Sequence, residues 1–172
     1  MYGLVLLLSA AHAPCHPVTM PEVSQRVATI LANADAPPTF DEPFSDLLHW
    51  WFIACRKSKD RIGAAAAPEF AKLLPYFSYT YYTAALLYDI GPRSRTATPA
   101  IRAERTRQIG LWREQRKYTI TGLSPKTNVD ALGCVLEVID TGRRERRLCR
   151  YLAFTIRTQT HPDWVPRGLR TS

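Results

Sequence analysis

Residues 132–139 read LGCVLEVI and residues 148–158 read LCRYLAFTIRT, with DTGRRERR between them at 140–147. Two apolar runs rich in Val, Ile, Leu and aromatic residues, flanking a polar segment with a Thr-Gly pair, read as an antiparallel β-hairpin. The register follows from cross-strand pairing. Setting Asp140 opposite Arg147 places Ile139 against Leu148, Glu137 against Arg150 and Val135 against Leu152. Apolar pairs and one ion pair favour that register over a tighter Thr-Gly turn, which would set Leu136 and Ile139 against arginines. It keeps Cys134 and Cys149 from facing one another, so no bridge is expected between them. The tip, Thr141 to Arg146, then becomes a projecting cationic loop. Tyr118-Thr-Ile-Thr121 reads as a third strand.

Working outward from the hairpin, the upstream sequence changes period. Residues 21–34 read as a helix, with Pro21 at an early position and Val23, Val27, Ile30 and Leu31 on one side. Residues 42–58 read as a stronger one, with Asp41 as cap and Phe44, Leu47, Leu48, Trp51, Phe52 and Cys55 at helical spacing. The bases Arg56, Lys57, Lys59 and Arg61 then read as compensation of that helix's C-terminal dipole or, in a membrane reading with Trp50 and Trp51 as an interfacial belt, as cations meeting headgroups. A short helix is expected at 64–74 and a linker at 92–98. Residues 99–116 read as a third long helix with a thin apolar stripe of Ile101, Ile109 and Trp112. The fold class is therefore α+β: N-terminal helices at about 21–34, 42–58 and 99–116, followed by a three-stranded antiparallel sheet at 118–158. Its regions are an apolar arm (1–20), a helical, aromatic-rich part (21–91), and a basic helix with sheet and tail (92–172).

Charge is the most uneven property of this 172-residue chain. The net +8 divides into −4 for residues 1–55, +2 for residues 56–90 and +10 for residues 91–172. Segregated charge builds a local field, and arginine, eighteen of the twenty-three bases, presents a planar fork to phosphate or carboxylate. The expected contacts to an anionic partner are Arg102, Arg105, Arg113 and Arg116 on the third helix, Arg143, Arg144, Arg146 and Arg147 at the hairpin tip, and Arg167 and Arg170 in the tail. A second surface, apolar and aromatic, is expected from Trp50, Trp51, Tyr76, Tyr79, Tyr81 and Tyr82. Five of the eight tyrosines fall between 76 and 88, a stretch too short and too polar for a spanning helix.

The run GLVLLLSAAHA at 3–13 has the shape of a signal-peptide core, but lacks a basic leader and ends before Pro14. It reads as a retained arm. The four cysteines form no C-x-x-C pair and are expected to be reduced thiols of an intracellular protein. His12, Cys15 and His16 match no zinc spacing, and no second ligand pair follows. No glycine-rich phosphate loop and no activated nucleophile is present. No cofactor, metal or small-molecule substrate is therefore expected, and no catalytic residue.

What remains is a partner-binding chain. The expectation is a non-catalytic accessory subunit of a large assembly, bound to other protein subunits, in the mitochondrial inner membrane or matrix, as in a respiratory-chain or ATP-synthase complex. Anionic lipid or RNA would meet the arginines. The alternatives are an RNA-binding mitoribosomal protein, a cytoplasmic setting, and a small α+β enzyme with a cone-shaped pocket.

Overall fold

The computed structural model describes residues 15–32, 42–115, 124–143 and 149–160. They form α1 (Met20–Ala32), α2 (Glu42–Ile53), α3 (Arg56–Ala71), α4 (Phe77–Ile90), a 3-10 segment (Gly91–Ala97), α5 (Thr98–Gln115), α6 (Pro125–Thr141) and α7 (Arg150–Thr160). Helix accounts for 87% of them and no strand occurs among them, which overturns the α+β expectation.

The hairpin segment is two helices, and the reason lies at its borders. Ser124 caps α6, its hydroxyl accepting the Thr127 N–H at 3.2 Å. Pro125 occupies the first turn, where its missing N–H costs nothing. Gly142 ends the helix at φ 69°, a left-handed conformation that a side chain resists. Between these signals Asn128, Leu132, Val135, Val138 and Ile139 are buried, at steps of three and four. The β-branched content is the buried stripe of a helix, not a pleated face. In α7, Cys149 and Leu152 are buried and Ile156 packs on the core, whereas Phe154 is 46% exposed. A strand would have put Phe154 on the face of Leu152; a helix turns it away.

Cys134 and Cys149 are joined by a disulfide, Cα–Cα 5.6 Å, which ties α6 to α7 and disposes of the hairpin register. Cys15 and Cys55 form a second, Cα–Cα 4.9 Å. The expectation of reduced thiols is overturned with it. The proposed strand 118–121, the arm through residue 14 and the tail beyond Thr160 lie outside the described residues.

The helix expected at 42–58 breaks at Ala54-Cys55. Ala54 N–H closes a turn onto Trp51 O at 3.2 Å, and Cys55 N–H turns instead to His16 O at 2.8 Å. Ser58 completes the notch, donating to Cys55 O (2.8 Å) and accepting the Val18 N–H (3.1 Å). Residues 15–18 are thereby strapped across the α2–α3 corner, with Val18 fully buried. The short helix expected at 64–74 is the second half of α3, which carries Pro68 internally. The supposed linker at 92–98 is mostly the 3-10 segment. At the first helix, Thr19 and Glu22 form the side-chain half of a capping box: Glu22 Oε2 accepts the Thr19 N–H at 2.9 Å and, in addition, its hydroxyl at 2.7 Å.

Helix α4, which carries no charge before Asp89, runs through the centre, burying Thr80, Thr83 and the run Ala84–Tyr88. Its two polar attachments fix its neighbours. On one side Asp89 accepts from Trp51 Nε1 (3.0 Å) and Lys59 Nζ (2.9 Å), linking α2, α3 and α4. On the other, Glu104 of α5 accepts from Arg107, from Gln108 Nε2 (2.7 Å) and, at 3.5 Å, from Thr80. Gln108 Oε1 in turn accepts from Asn128 Nδ2 of α6 at 3.2 Å. Burial of these polar groups is tolerable because they are hydrogen-bonded to one another.

Candidate anion-docking surface

The arginines expected to meet a partner fall into different roles. On α5, Arg102 and Arg113 are exposed. Arg105 is half-buried, its Nε donating to Val129 O at 3.4 Å as it crosses Gly133. Arg107, not singled out from sequence, grips both oxygens of Glu104 at 2.6 and 2.8 Å and donates to Pro75 O at 3.1 Å. Those hydrogen bonds to Glu104 raise its guanidinium pKa further above the ordinary arginine value. Half of the cationic face on this helix thus serves the chain's own packing. Arg143 is exposed just beyond α6. Arg116, Arg144, Arg146, Arg147, Arg167 and Arg170 lie outside the described residues.

The aromatic residues are placed inward. Trp51, Tyr79 and Tyr81 are buried, and Trp50, Tyr76 and Tyr82 are half-buried. Phe44 stacks on Tyr79 with centroids 4.3 Å apart, Trp51 meets Phe70 edge-on at 4.9 Å, and Tyr81 shares a 3.1 Å hydrogen bond with Thr155 of α7. Burial raises the Tyr82 hydroxyl pKa above the ordinary tyrosine value. Trp50 carries the Arg26 guanidinium over its ring at 4.5 Å. Trp51, Tyr79 and Tyr81 belong to the core cluster, and Trp50, Tyr76 and Tyr82 pack against it.

A cationic surface lies along α3 and the 3-10 segment. A new helix begins at Arg56, so Arg56, Lys57, Lys59 and Arg61 occupy the first two turns of α3, with no acid in its first turn. That is the positive end of a helix, where a cation is disfavoured by about 0.3–1 kcal/mol. Compensation of the preceding helix therefore does not explain them all. Lys59 turns inward to Asp89, while Arg56, Lys57 and Arg61 stay exposed. Arg93 joins them from the 3-10 segment: its Nη1 lies 2.8 Å from Asp60 Oδ1, and Arg56 Nε lies 3.1 Å from the same oxygen. One half-buried carboxylate thus holds two guanidinium groups together. Gly63 makes the close approach possible, because a Cβ there would meet Ile90 Cγ2 at 3.1 Å and Arg93 Cδ at 3.7 Å. Thr96 Oγ1 fastens the end of the segment to Ala64 O at 3.0 Å. The exposed Arg95 reaches Ile139 O of α6 at 3.5 Å, and Gly142 lies against Pro92, which brings Arg143 to the same edge.

Two open grooves occur among the described residues. One, about 460 Å3, is lined by Glu22, Gln25, Arg26 and Asp46 between α1 and α2. The other, about 370 Å3, is lined by Arg105, Asp130, Glu137 and Asp140 between α5 and α6. Neither is a sheet-lined cone of the kind the small-enzyme alternative required. The cysteines are bonded in pairs, and no group of three His, Cys, Asp or Glu suited to a metal occurs among the described residues. No helix among them is long and apolar enough to cross a membrane. No family model, curated protein or solved structure matches the chain.

Proposed function

We propose that this protein is a non-catalytic accessory module that docks, through its arginine-rich surface, on an anionic partner within a membrane-associated assembly. One observation carries the reading. Exposed cations are concentrated at the positive end of α3 and on the adjoining 3-10 segment, where they lower the stability of the helix that bears them. A field held against the helix dipole is explained by a partner that neutralises it. The tryptophans and tyrosines contribute to the core in this reading rather than to the interface.

Two disulfides also bear on the setting. Such bonds persist in oxidising compartments and are rare in reducing ones. Of the locations expected from sequence, the inner membrane with this chain on an oxidising side accommodates them better than the matrix or the cytoplasm. The test is retention of the full-length oxidised protein on a sulfonated matrix at low ionic strength. Elution well above the salt required by a control protein of equal net charge, spread evenly, is the expected result. Elution together with that control would refute the reading.

A further inference from the structure

The docking reading leaves the anion unnamed, and three anionic partners would attract arginine: nucleic acid, acidic protein and phospholipid headgroups. Resting on that reading, we infer that the surface formed by Arg56, Lys57, Arg61, Arg93, Arg95 and Arg143 binds the phosphate headgroups of an anionic lipid bilayer. Three features favour lipid over the other two.

The first is breadth. On α3 the exposed positions 57, 61, 64, 65 and 68 form one outward strip of Lys, Arg, two Ala and Pro. Beside it the 3-10 segment exposes Pro92, Arg93, Arg95 and Thr96. The cations are thus set among small, short side chains, and neither of the two grooves includes any of them. A shallow cationic face suits a layer of headgroups, to which each Lys or Arg contributes independently. Base recognition would call for exposed aromatics to stack on, and none lies on this strip.

The second is redox state. The Cys15–Cys55 and Cys134–Cys149 bonds place the folded chain where thiols oxidise. Nucleic acid is concentrated where they do not, whereas phospholipid phosphate faces every compartment.

The third is covalent. Cys15 is bonded to Cys55, and Cys55 immediately precedes Arg56. The apolar sequence GLVLLLSAAHA ends at Ala13, two residues before Cys15. In sequence, that apolar stretch therefore runs directly into the segment bonded beside the cationic corner. Cationic residues combined with an apolar element are the two signals by which peripheral proteins hold a membrane. An acidic protein partner gives no reason for that juxtaposition.

The experiment is flotation of the full-length oxidised protein with vesicles of phosphatidylcholine alone or phosphatidylcholine containing phosphatidylglycerol. Uridine oligonucleotide and polyglutamate are titrated in parallel. The variants are Lys57→Glu and Lys57→Glu/Arg61→Glu, both on the exposed strip. Binding to the phosphatidylglycerol vesicles is expected, with none to phosphatidylcholine and a steep fall as salt rises. Each cation removed should lower the partition coefficient about fivefold, and the double variant about 25-fold or more. Circular dichroism melts, unchanged or raised, show that the variants fold. Vesicle binding that survives the double substitution would place the contact elsewhere and overturn the inference. Binding only to the oligonucleotide or to polyglutamate, and lost in the variant, would overturn lipid as the partner while leaving anionic docking in place. Binding to none of the three would remove both.

Discussion

Replacing Asp89 by Ala should cost about 4 kcal/mol, because that carboxylate accepts from two buried donors. Lys59 Nζ approaches it at 2.9 Å and Trp51 Nε1 at 3.0 Å, and the Lys59 and Asp89 side chains are 9% and 8% exposed. Breaking a buried pair by removing one partner costs about 3–5 kcal/mol, since the other charge stays in low dielectric. The stranded indole N–H would add about 1–3 kcal/mol if nothing relaxed. Relaxation of the lysine toward water offsets part of the sum, which gives the middle figure. For a chain of this size that lowers the melting temperature by about 8–16 °C. The pair as a whole contributes far less. Lys59→Met/Asp89→Leu, which removes both charges, keeps the volume and leaves only the Trp51 N–H stranded, should lose about 1–3 kcal/mol. Guanidinium unfolding of the oxidised single and double variants measures both quantities, with the slope held constant as a check on two-state behaviour. The reasoning is refuted if Asp89→Ala loses less than about 1 kcal/mol, or if the double variant is as unstable as the sum of the singles.

Other outcomes follow from the same structure. Cys134→Ser/Cys149→Ser opens a link of sequence separation 15 and should destabilise by about 3 kcal/mol, read from denaturant midpoints. Mass spectrometry of the untreated parent should find no free thiol at either position. Gly110 lies within α5 and a Cβ there meets nothing within 4 Å, so Gly110→Ala should stabilise by about 0.5–1 kcal/mol; a loss would show a contact at that face. The hydrogen bond from the Thr19 hydroxyl holds the Glu22 carboxyl below the ordinary glutamate value, helped by the Thr19 N–H and Arg26. Because the folded value is the lower one, this capping contribution is present above the ordinary glutamate pKa and is lost as pH falls through the depressed value. An NMR titration of Glu22 should show that depression, and Thr19→Val should abolish most of it.

Some of the helical framework is legible in the sequence because its end signals are local. Pro21, Pro43 and Pro99 mark starts, and the expected ranges 21–34 and 99–116 come within two residues of α1 and α5 at each end. The break after Ile53 was not legible, because Ala54 and Cys55 carry no breaker residue. It depends on His16 O accepting the Cys55 N–H, beside the Cys15–Cys55 bond of sequence separation 40, an interaction of tertiary origin. That break decides the candidate site, since it converts the bases at 56–61 from the end of one helix into the beginning of another. The last two helices were misread for a different reason. Ser124, Pro125 and Gly142 were all present as helix punctuation, but the apolar run starting at Leu132 was weighed by its β-branched content before its borders. Pairing of Cys134 with Cys149 joins α6 to the residue just before α7; the strand register favoured by apolar pairing kept the two apart, whereas the tighter Thr-Gly register would have set them opposite one another.

The hydrogen-bonded seam through Glu104, Gln108 and Asn128 has a consequence for descent as well as for stability. A slide of α6 along α5 by one turn would leave Gln108 Oε1 without its donor and Asn128 Nδ2 without its acceptor, both in the interior. The two side chains form a key of complementary amides, and changing either alone incurs the penalty of an unpaired buried polar group. Positions 108 and 128 should therefore covary in descendants and cousins of this chain, passing together to an apolar pair or not at all, while exposed positions of α5 and α6 such as 103 and 140 drift freely.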